Sequence, residues 1–287
     1  MSDPNRHHYI PQFYLRRWAN DRGLVSSYSW QGGKIYVGDY SPRSIGAEAG
    51  LYALDGVPPD MRNAIERDVM GPMIDGPAAD AMAVLLGEVS GPLSHEARLA
   101  WIRFLVSLMV RTPAQLAALK ADGAATLRDQ LAADPEEYER VRGPNDPPTF
   151  LEFIKARKLD HLIDNFGTAM MPQLTEIPHM NRDIFRMDWR VQHYRDGPYG
   201  FVTSDFPICM LPGLAYRDCI ISLPLSPTAV FLAAYDAKLI DAITAQPPDR
   251  VIDRVNEISV GSARRYVFAD SRQYMDLVGQ GLRQPDC

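Results

Sequence analysis

Two groups of polar residues in this 287-residue chain have the side-chain types that proton transfer and charge stabilisation require. His7 and His8 stand side by side at the start of an aromatic segment that contains Tyr9 and Phe13. Asp205 follows a predicted strand, in the string TSDFP. A short polar side chain at a strand end is held rigidly, and an imidazole titrates near neutral pH. We expect the two groups to face each other across one cleft.

Both groups also have a structural interpretation. Adjacent imidazoles on an extended chain point to opposite sides, so at most one of His7 and His8 readily faces a given site. The pair can equally be a capping or surface feature. Ser and Asp before a proline often do no more than build a turn, which applies to Ser204 and Asp205. The functional and the structural interpretation remain open for both groups.

Other familiar reaction centres are absent from the sequence. No GxxxxGK[ST], GxGxxG, HExxH, CxxC or GxSxG string occurs. The remaining histidines each stand alone, without partners at the spacing of metal ligands. Metal-dependent phosphodiester cleavage usually needs clustered carboxylates, and no Asp or Glu cluster surrounds His7 or Asp205. We therefore expect neither a metal ion nor a cofactor.

These residues favour a metal-independent hydrolase that acts on a nucleotide or a nucleic acid. Cleavage of an N-glycosidic bond needs a carboxylate to stabilise oxocarbenium charge, a proton donor for the leaving base and an aromatic pocket. Asp205 is the candidate carboxylate, and His7 or His8 is the candidate donor. Tyr9 and Phe13 would contribute to the pocket. Removal of bases in this way suits defence against foreign DNA.

Five strings along the chain form a recognisable pattern: HHYIPQFYLRRW near the start, RTP after the central helix, then TSDFP, LPLSP and VNE. They resemble a bacterial family of uncharacterised proteins called domain of unknown function 4238. The resemblance extends from residue 7 to about residue 269 and supplies candidate residues without roles. The polar positions that fall on the family pattern are His7, His8, Gln12, Arg16, Glu66, Arg111, Ser204, Asp205 and Asn256.

Substrate binding is expected from residues near the catalytic candidates, with arginines holding phosphate groups. The chain has a net charge of −6, so a nucleic-acid site must be a local basic patch. Arg111 ends an otherwise buried helix, where it can instead extend to solvent or pair with Glu66 or Glu96. The expected substrate-binding residues are Tyr9, Gln12, Phe13, Arg16, Arg111, Ser204 and Asn256.

Two alternatives to this function remain. The first is a metal-independent phosphodiesterase or RNase that uses His7 and His8 as acid and base. The second is a non-enzymatic ligand-sensing or scaffold protein, which explains the aromatic N-terminal segment with less chemistry. Convergence of a histidine, Arg111 and Asp205 around an open pocket favours an enzyme.

The hydrophobic pattern predicts a helical first half. Apolar residues on most faces of residues 93–111 indicate a helix at the centre of the core, opened by Ser94. Further helices are predicted for 114–133 and 150–174. The segment 59–89 has the helical period but is interrupted by Gly71-Pro72 and Gly76-Pro77, so we expect two or three pieces.

Strands dominate the prediction for the last third. A small N-terminal hairpin is expected from 24–30 and 34–37, and a second hairpin from 185–194 and 199–203. Strands at 219–223, 229–234 and 264–269 surround a helix at 249–261. We expect one α+β domain over 1–287, in which a helical subregion (about 59–177) packs on a mostly antiparallel sheet (about 183–270).

The composition is that of an ordinary globular protein, with 46% hydrophobic and 23% charged residues. The start shows no basic stretch followed by an apolar one, and no run approaches about 18 apolar residues. We expect neither export by a signal peptide nor contact with a membrane. Three cysteines are too few for a disulfide framework, so Cys209, Cys219 and Cys287 are predicted to be free thiols in the cytoplasm.

Overall fold

The fold was analysed in a computed structural model that describes residues 5–195, 197 and 199–284. Within these residues the strands form three antiparallel sheets, with the orders β1-β4, β3-β2-β10-β6 and β5-β9-β8-β7. The strands are β1 (Arg6–His8), β2 (Val25–Gln31), β3 (Lys34–Tyr40), β4 (Ala47–Ala49), β5 (Asp188–His193), β6 (Thr203–Ser204), β7 (Cys209–Leu211), β8 (Ile220–Ser226), β9 (Ala229–Ala234) and β10 (Val267–Ala269).

Helices occupy most of the chain between the N-terminal strands and β5, which confirms the predicted α+β class. A 3-10 turn covers Arg16–Trp18, and a π-helix covers Ile65–Asp75. The α-helices are α1 (Gln12–Leu15), α2 (Gly76–Leu85), α3 (His95–Val110), α4 (Pro113–Ala133), α5 (Pro135–Val141), α6 (Phe150–Ala156), α7 (Asp160–Asp164), α8 (Phe166–Ala169), α9 (Met171–Leu174), α10 (Pro178–Arg186), α11 (Ala237–Thr244), α12 (Pro248–Ser262) and α13 (Met275–Gly281).

Helix α3 lies in the core, as its apolar surface predicts. The Ser94 side chain caps it by accepting a hydrogen bond from the backbone N–H of Ala97 at 3.1 Å. Trp101, Phe104 and Leu105 are completely buried. No single described helix is long and apolar enough to cross a membrane, although α3 and α4 together reach that length and composition with a bend of 80° between them.

The predicted N-terminal hairpin is present as β2 and β3. Gly32 and Gly33 form its turn with φ of +57° and +77°, values that favour glycine. The hairpin does not stand alone, because β2 also pairs with β10 in the register Ser27↔Phe268. The first and last parts of the chain therefore share one sheet, a long-range pairing that local patterns do not reveal.

The second predicted hairpin is wrong. Strand β5 pairs with β9, and β6 pairs with β10 in another sheet. The side chain of Asn256 on α12 takes the backbone groups that a hairpin partner would use. Its Oδ1 accepts from the N–H of Val202 at 2.8 Å, and its Nδ2 donates to the carbonyl of Gly200 at 3.0 Å. Two residues of the predicted turn, Asp196 and Pro198, lie outside the described residues.

The segment 150–174 is helical but broken into the short helices α6 to α9. Lys158 adopts a left-handed φ of +57°, which ends the first of them. Gly167 lies against the backbone of α4, where a Cβ atom would come within 2.2 Å of the carbonyl oxygen of Leu119. The helical period of the segment thus predicts its secondary structure, whereas its breaks depend on this contact and on the left-handed backbone of Lys158.

Cys209 and Cys219 are free thiols, as predicted. Cys287 lies outside the described residues. The single-domain prediction remains a prediction, although one cluster of buried side chains includes Phe104 from the helical part and Phe231 from the sheet-rich part.

Candidate functional site

The N-terminal segment separates two concave sites. The first, here called the carboxyl pocket, has a volume of about 300 Å³ and is lined by His8, Gln12, Phe13, Arg16, Glu66 and Asp75, among others. The second, here called the tyrosine cleft, has a volume of about 530 Å³ and is lined by Tyr9, Tyr36, Tyr40, Tyr266, Arg264 and Arg265, among others. The consecutive residues His8 and Tyr9 line different sites.

The π-helix places the two carboxyl groups of the carboxyl pocket on one face. Glu66 and Asp75 are nine positions apart. In an α-helix this spacing puts side chains on opposite faces, whereas at the roughly 4.4 residues per turn of a π-helix it is about two full turns. Pro72 lies inside the helix, where its ring would collide with a carbonyl in the tighter α geometry. The wider helix accommodates the proline and aligns the carboxyls.

Asp75 forms an ion pair with Arg111, the residue that ends α3. The Arg111 Nη1 donates to the Asp75 Oδ1 at 2.8 Å, and the guanidinium is fully buried while the Asp75 side chain is 21% exposed. Burial raises the pKa of Asp75, and the positive charge of Arg111 opposes that rise. A buried guanidinium needs a counter-charge, so Asp75 is the carboxyl that stays ionised.

Glu66 lies in the same electrostatic environment but forms no ion pair within the described residues, and its carboxyl group accepts a hydrogen bond from the backbone N–H of His8. Burial raises its pKa to about 7, the charge of Asp75 adds to the rise, and Arg111 opposes it. Its Oε2 is buried and has no hydrogen-bond partner among the described residues. The Nε and Nη2 of Arg111 are in the same situation. Such unsatisfied buried groups are rare in proteins, and here they belong to two residues that interact electrostatically.

His8 borders this cluster as a neutral imidazole. Its Nε2 lies 3.2 Å from the carbonyl oxygen of Arg43, a contact in which the ring nitrogen must donate. Burial lowers the pKa of His8 to about 4, and the charges of Arg6 and Arg111 lower it further. The hydrogen bond to Arg43 opposes this shift. At neutral pH His8 therefore adds no charge beside Glu66.

His7 lies on the opposite side of the strand and is completely buried. Its Nδ1 accepts a hydrogen bond from the backbone N–H of Tyr52 at 2.8 Å, which places the ring proton on Nε2. That Nε2 lies 3.2 Å from the Oδ1 of Asn63. The ring also stacks on Tyr52 with the planes 7° apart. Both nitrogens thus hold the N-terminal strand to its neighbours.

Asp205 lines the tyrosine cleft, and its carboxylate is bound to the backbone. Oδ1 and Oδ2 accept hydrogen bonds from the backbone N–H groups of Arg264 and Arg265, at 2.7 and 2.8 Å. Burial raises the pKa of Asp205 to about 6, and these N–H groups oppose the rise. The carboxylate joins the end of β6 to the approach to β10. This geometry favours the turn-building interpretation of Asp205.

The structure distributes the other sequence-predicted residues over three places. Gln12, Phe13 and Arg16 join His8 in the carboxyl pocket, and the Arg16 Nη2 donates to the Gln12 Oε1 at 3.4 Å. Tyr9 lies with Asp205 in the tyrosine cleft. Ser204 and Asn256 are buried and bind backbone N–H groups.

Arg111 does not line the pocket, and its partner is Asp75 instead of the Glu66 or Glu96 considered from the sequence. It interacts with the pocket through Asp75, which lines the pocket and forms the ion pair with Arg111.

Asp75 is the residue that sequence reasoning missed. Its position next to Gly76-Pro77 suggests a helix break. In an α-helix, moreover, a residue nine positions after Glu66 would lie on the opposite face of the helix. The useful signal was Gly71-Pro72 inside an otherwise periodic segment, since π-helical turns accompany such irregularities and often mark functional sites.

No group of three or more His, Cys, Asp or Glu side chains within the described residues is placed to hold a metal ion.

Comparison with known proteins identifies a family without an assigned activity. Neither a curated protein nor a solved structure matches the chain. The profile of the family DUF4238, described as a protein of unknown function, matches residues 6–273. The matched range includes His8, Glu66, Asp75, Arg111 and the whole tyrosine cleft. The chain belongs to the DUF4238 family.

Proposed function

We propose that this protein is a metal-independent hydrolase of N-glycosidic bonds and that the carboxyl pocket is its active site. One observation carries the proposal. Two carboxyl groups on one face of the π-helix interact with one buried arginine at an open pocket. Asp75 forms an ion pair with this arginine, whereas the Oε2 of Glu66 has no hydrogen-bond partner among the described residues. Two carboxyl groups in unlike environments are the equipment of glycosidic hydrolysis.

Glu66 is the proposed general acid. Its pKa of about 7 keeps it largely protonated below neutral pH, so it can donate a proton to the departing nitrogen of a base. The bond between the sugar C1′ and that nitrogen breaks, and its electron pair goes to the base. The base leaves as a neutral molecule, and Glu66 becomes a carboxylate.

Asp75 is the proposed charge-stabilising carboxylate. Its negative charge, held by Arg111, faces the positive charge that develops on the sugar. Water adds to C1′, and its proton passes to Asp75 and from there to solvent or back to Glu66. Arg111 positions Asp75 without touching the substrate, because its side chain is fully buried.

The walls of the pocket suit a nucleotide. Phe13 offers an aromatic surface, and Arg16 is exposed at the rim, where it can bind a phosphate. The free thiols Cys209 and Cys219 agree with action in the cytoplasm. Defence against foreign DNA remains the proposed biological context. The histidine-based phosphodiesterase is less favoured, because His7 is bound on both nitrogens and a pKa of about 4 leaves His8 a poor proton carrier at neutral pH.

An assay for the release of free base tests the proposal. The substrates are nucleosides, nucleotides, and single- and double-stranded DNA and RNA, with modified DNA included. Chromatography detects the base, and gel analysis detects strand cleavage, with and without EDTA. We expect base release that persists in EDTA and falls about 100-fold or more in Glu66→Gln. Glu257→Gln, on an exposed helix face, is the matched control and should retain full activity.

Three results contradict the proposal. The first is activity that EDTA abolishes and one divalent ion restores. The second is base release that is unchanged in Glu66→Gln. The third is the absence of base release from every substrate, which favours the ligand-sensing alternative.

A further inference from the structure

The tyrosine cleft is a second built site that the proposed reaction does not use. One wall is a face of the sheet β3-β2-β10-β6. The register Ser29↔Tyr36, Ser27↔Gly38 and Ser27↔Phe268 shows which side chains share this face.

The centre of the opposite face of the sheet is covered by α13. It carries Tyr28 and Val267, which are fully buried against α13. Ser26 and Asp39 on the same face line a separate open depression, where Asp39 is already paired with Arg22 and Arg272.

Small residues and tyrosines alternate across the cleft face. Ser27 and Ser29 have small side chains and Gly38 has none, so these positions do not project from the sheet. The rings of Tyr36 and Tyr40 project beside them, and these residues are 47% and 39% exposed. A Cβ atom at Gly38 would lie 2.5 Å from the Tyr40 ring, so glycine lets this ring lie against the strand. Tyr266 stacks on Phe268 with the ring planes 15° apart. Aromatic rings on a sheet surface provide stacking platforms for unpaired bases.

Arginines concentrate at the other side of the cleft. Arg264 and Arg265 are exposed, and neither forms an ion pair within the described part of the chain. Arg6 adds a third guanidinium. Two carboxyl groups also line the cleft: Asp205, whose oxygens are bound to backbone N–H groups, and the exposed Glu48. The cleft is thus locally basic in a chain whose net charge is −6.

We propose that the tyrosine cleft binds an unpaired nucleotide, free or within a single strand, with its base on the tyrosines and its phosphate on Arg264 and Arg265. The assignment rests on the proposed function for the nucleotide class, but it concerns a separate site. Tyr9 and Thr112 line the tyrosine cleft. Each directly follows a residue of the carboxyl-pocket cluster: Tyr9 follows His8, and Thr112 follows Arg111. A nucleic-acid strand bound in the tyrosine cleft therefore passes beside the carboxyl pocket.

Fluorescence anisotropy with a labelled twelve-nucleotide oligothymidylate tests this assignment. Binding is measured on Glu66→Gln protein at low salt, so that turnover does not consume the probe. We expect the Arg264→Gln/Arg265→Gln double variant and Tyr36→Ser each to weaken binding about tenfold or more. Arg250→Gln and Tyr216→Ser change the same residue types at exposed positions outside the cleft, and they should stay within about twofold.

Competition distinguishes the two sources of the nucleotide. Displacement of the probe by thymidine monophosphate identifies a free nucleotide as sufficient. Displacement only by unlabelled oligonucleotide identifies a strand, and a duplex competitor should be weaker than either because its bases are already paired.

The assignment is wrong if the probe does not bind, or if the cleft variants bind as well as the controls. If the wild-type protein releases base but the cleft variants bind the probe with unaltered affinity, the inference about the tyrosine cleft is wrong and the proposed function stands. Specific binding without base release would overturn only the proposed function.

Discussion

Two carboxyl groups, the half-buried Glu66 and the buried Asp205, lie in neighbouring sites and differ in how their oxygens are hydrogen-bonded. Both have a raised pKa, and burial is the first cause in each case. Both oxygens of Asp205 are bound to backbone N–H groups, so its charge serves a turn. An oxygen of Glu66 and two nitrogens of Arg111 find no partner within the described residues. The difference teaches that burial and a shifted pKa do not by themselves distinguish the two carboxyl groups, whereas the hydrogen bonds that their oxygens make do.

Removal of Arg111 should have the largest effect on stability. Arg111→Met leaves Asp75 without its ion-pair partner and removes the positive charge that acts on Glu66. Breaking a buried ion pair in this way costs about 3 to 5 kcal/mol of the free energy of unfolding. Chemical denaturation measures the loss, and Arg103→Met, which removes an exposed ion pair with Glu176, should cost less than about 1 kcal/mol. Equal losses in the two variants would show that the cluster is not an electrostatic centre.

The pH dependence of stability should separate Glu66 from its surroundings. Its folded pKa of about 7 exceeds the ordinary 4.5, so the folded state binds the proton more tightly than the unfolded state. The contribution of Glu66 is therefore fully present below pH 4.5 and is lost as the pH rises through 7. The loss amounts to about 3 to 4 kcal/mol.

Glu66→Gln cannot titrate, and the difference between its free energy of unfolding and that of the wild type isolates this contribution. Asp75, Arg111 and His8 face Glu66 and remain in both proteins. Between pH 4.5 and 7.5 the variant should gain stability relative to the wild type. A difference that does not change with pH would place Glu66 in solvent.

Asp205→Asn should have a smaller effect, confined to stability. The amide keeps the shape of the side chain but turns one acceptor into a donor that faces a backbone N–H. The loss of one hydrogen bond to a charged group costs about 1 to 3 kcal/mol. Thermal unfolding measures it, and Asp129→Asn, a change at an exposed carboxyl on α4, is a suitable comparison. An Asp205→Asn protein of unchanged stability would contradict the turn-building role.

The sequence predicts local elements well and long-range positions poorly. Ser94, the apolar helix α3 and Gly32-Gly33 act within a few residues, so their structures follow from capping, burial and turn geometry. The pairing of β2 with β10 and the control of residues 200–202 by Asn256 depend on contacts between distant segments. The second hairpin failed for this reason.

The distinction between local patterns and long-range contacts also explains which residues of the candidate site the sequence predicts. Residues in the string HHYIPQFYLR, such as His8, Gln12 and Arg16, do line a pocket. Asp75 escaped because the π-helix changes which residues share a face, and an α-helical template cannot anticipate this. The supposed encounter of His7 with Asp205 required a tertiary contact, and the structure places His7 against Tyr52 and Asn63 instead.

The same substitution in the two regions tests the account most directly. Base release by Asp75→Asn and by Asp205→Asn is measured at matched folded fractions, on the best substrate of the wild type. We predict that Asp75→Asn loses about 100-fold or more of the turnover rate, because it removes the charge that faces the developing cation. Asp205→Asn should stay within about threefold of the wild type. A large loss in Asp205→Asn with full turnover in Asp75→Asn would contradict the account.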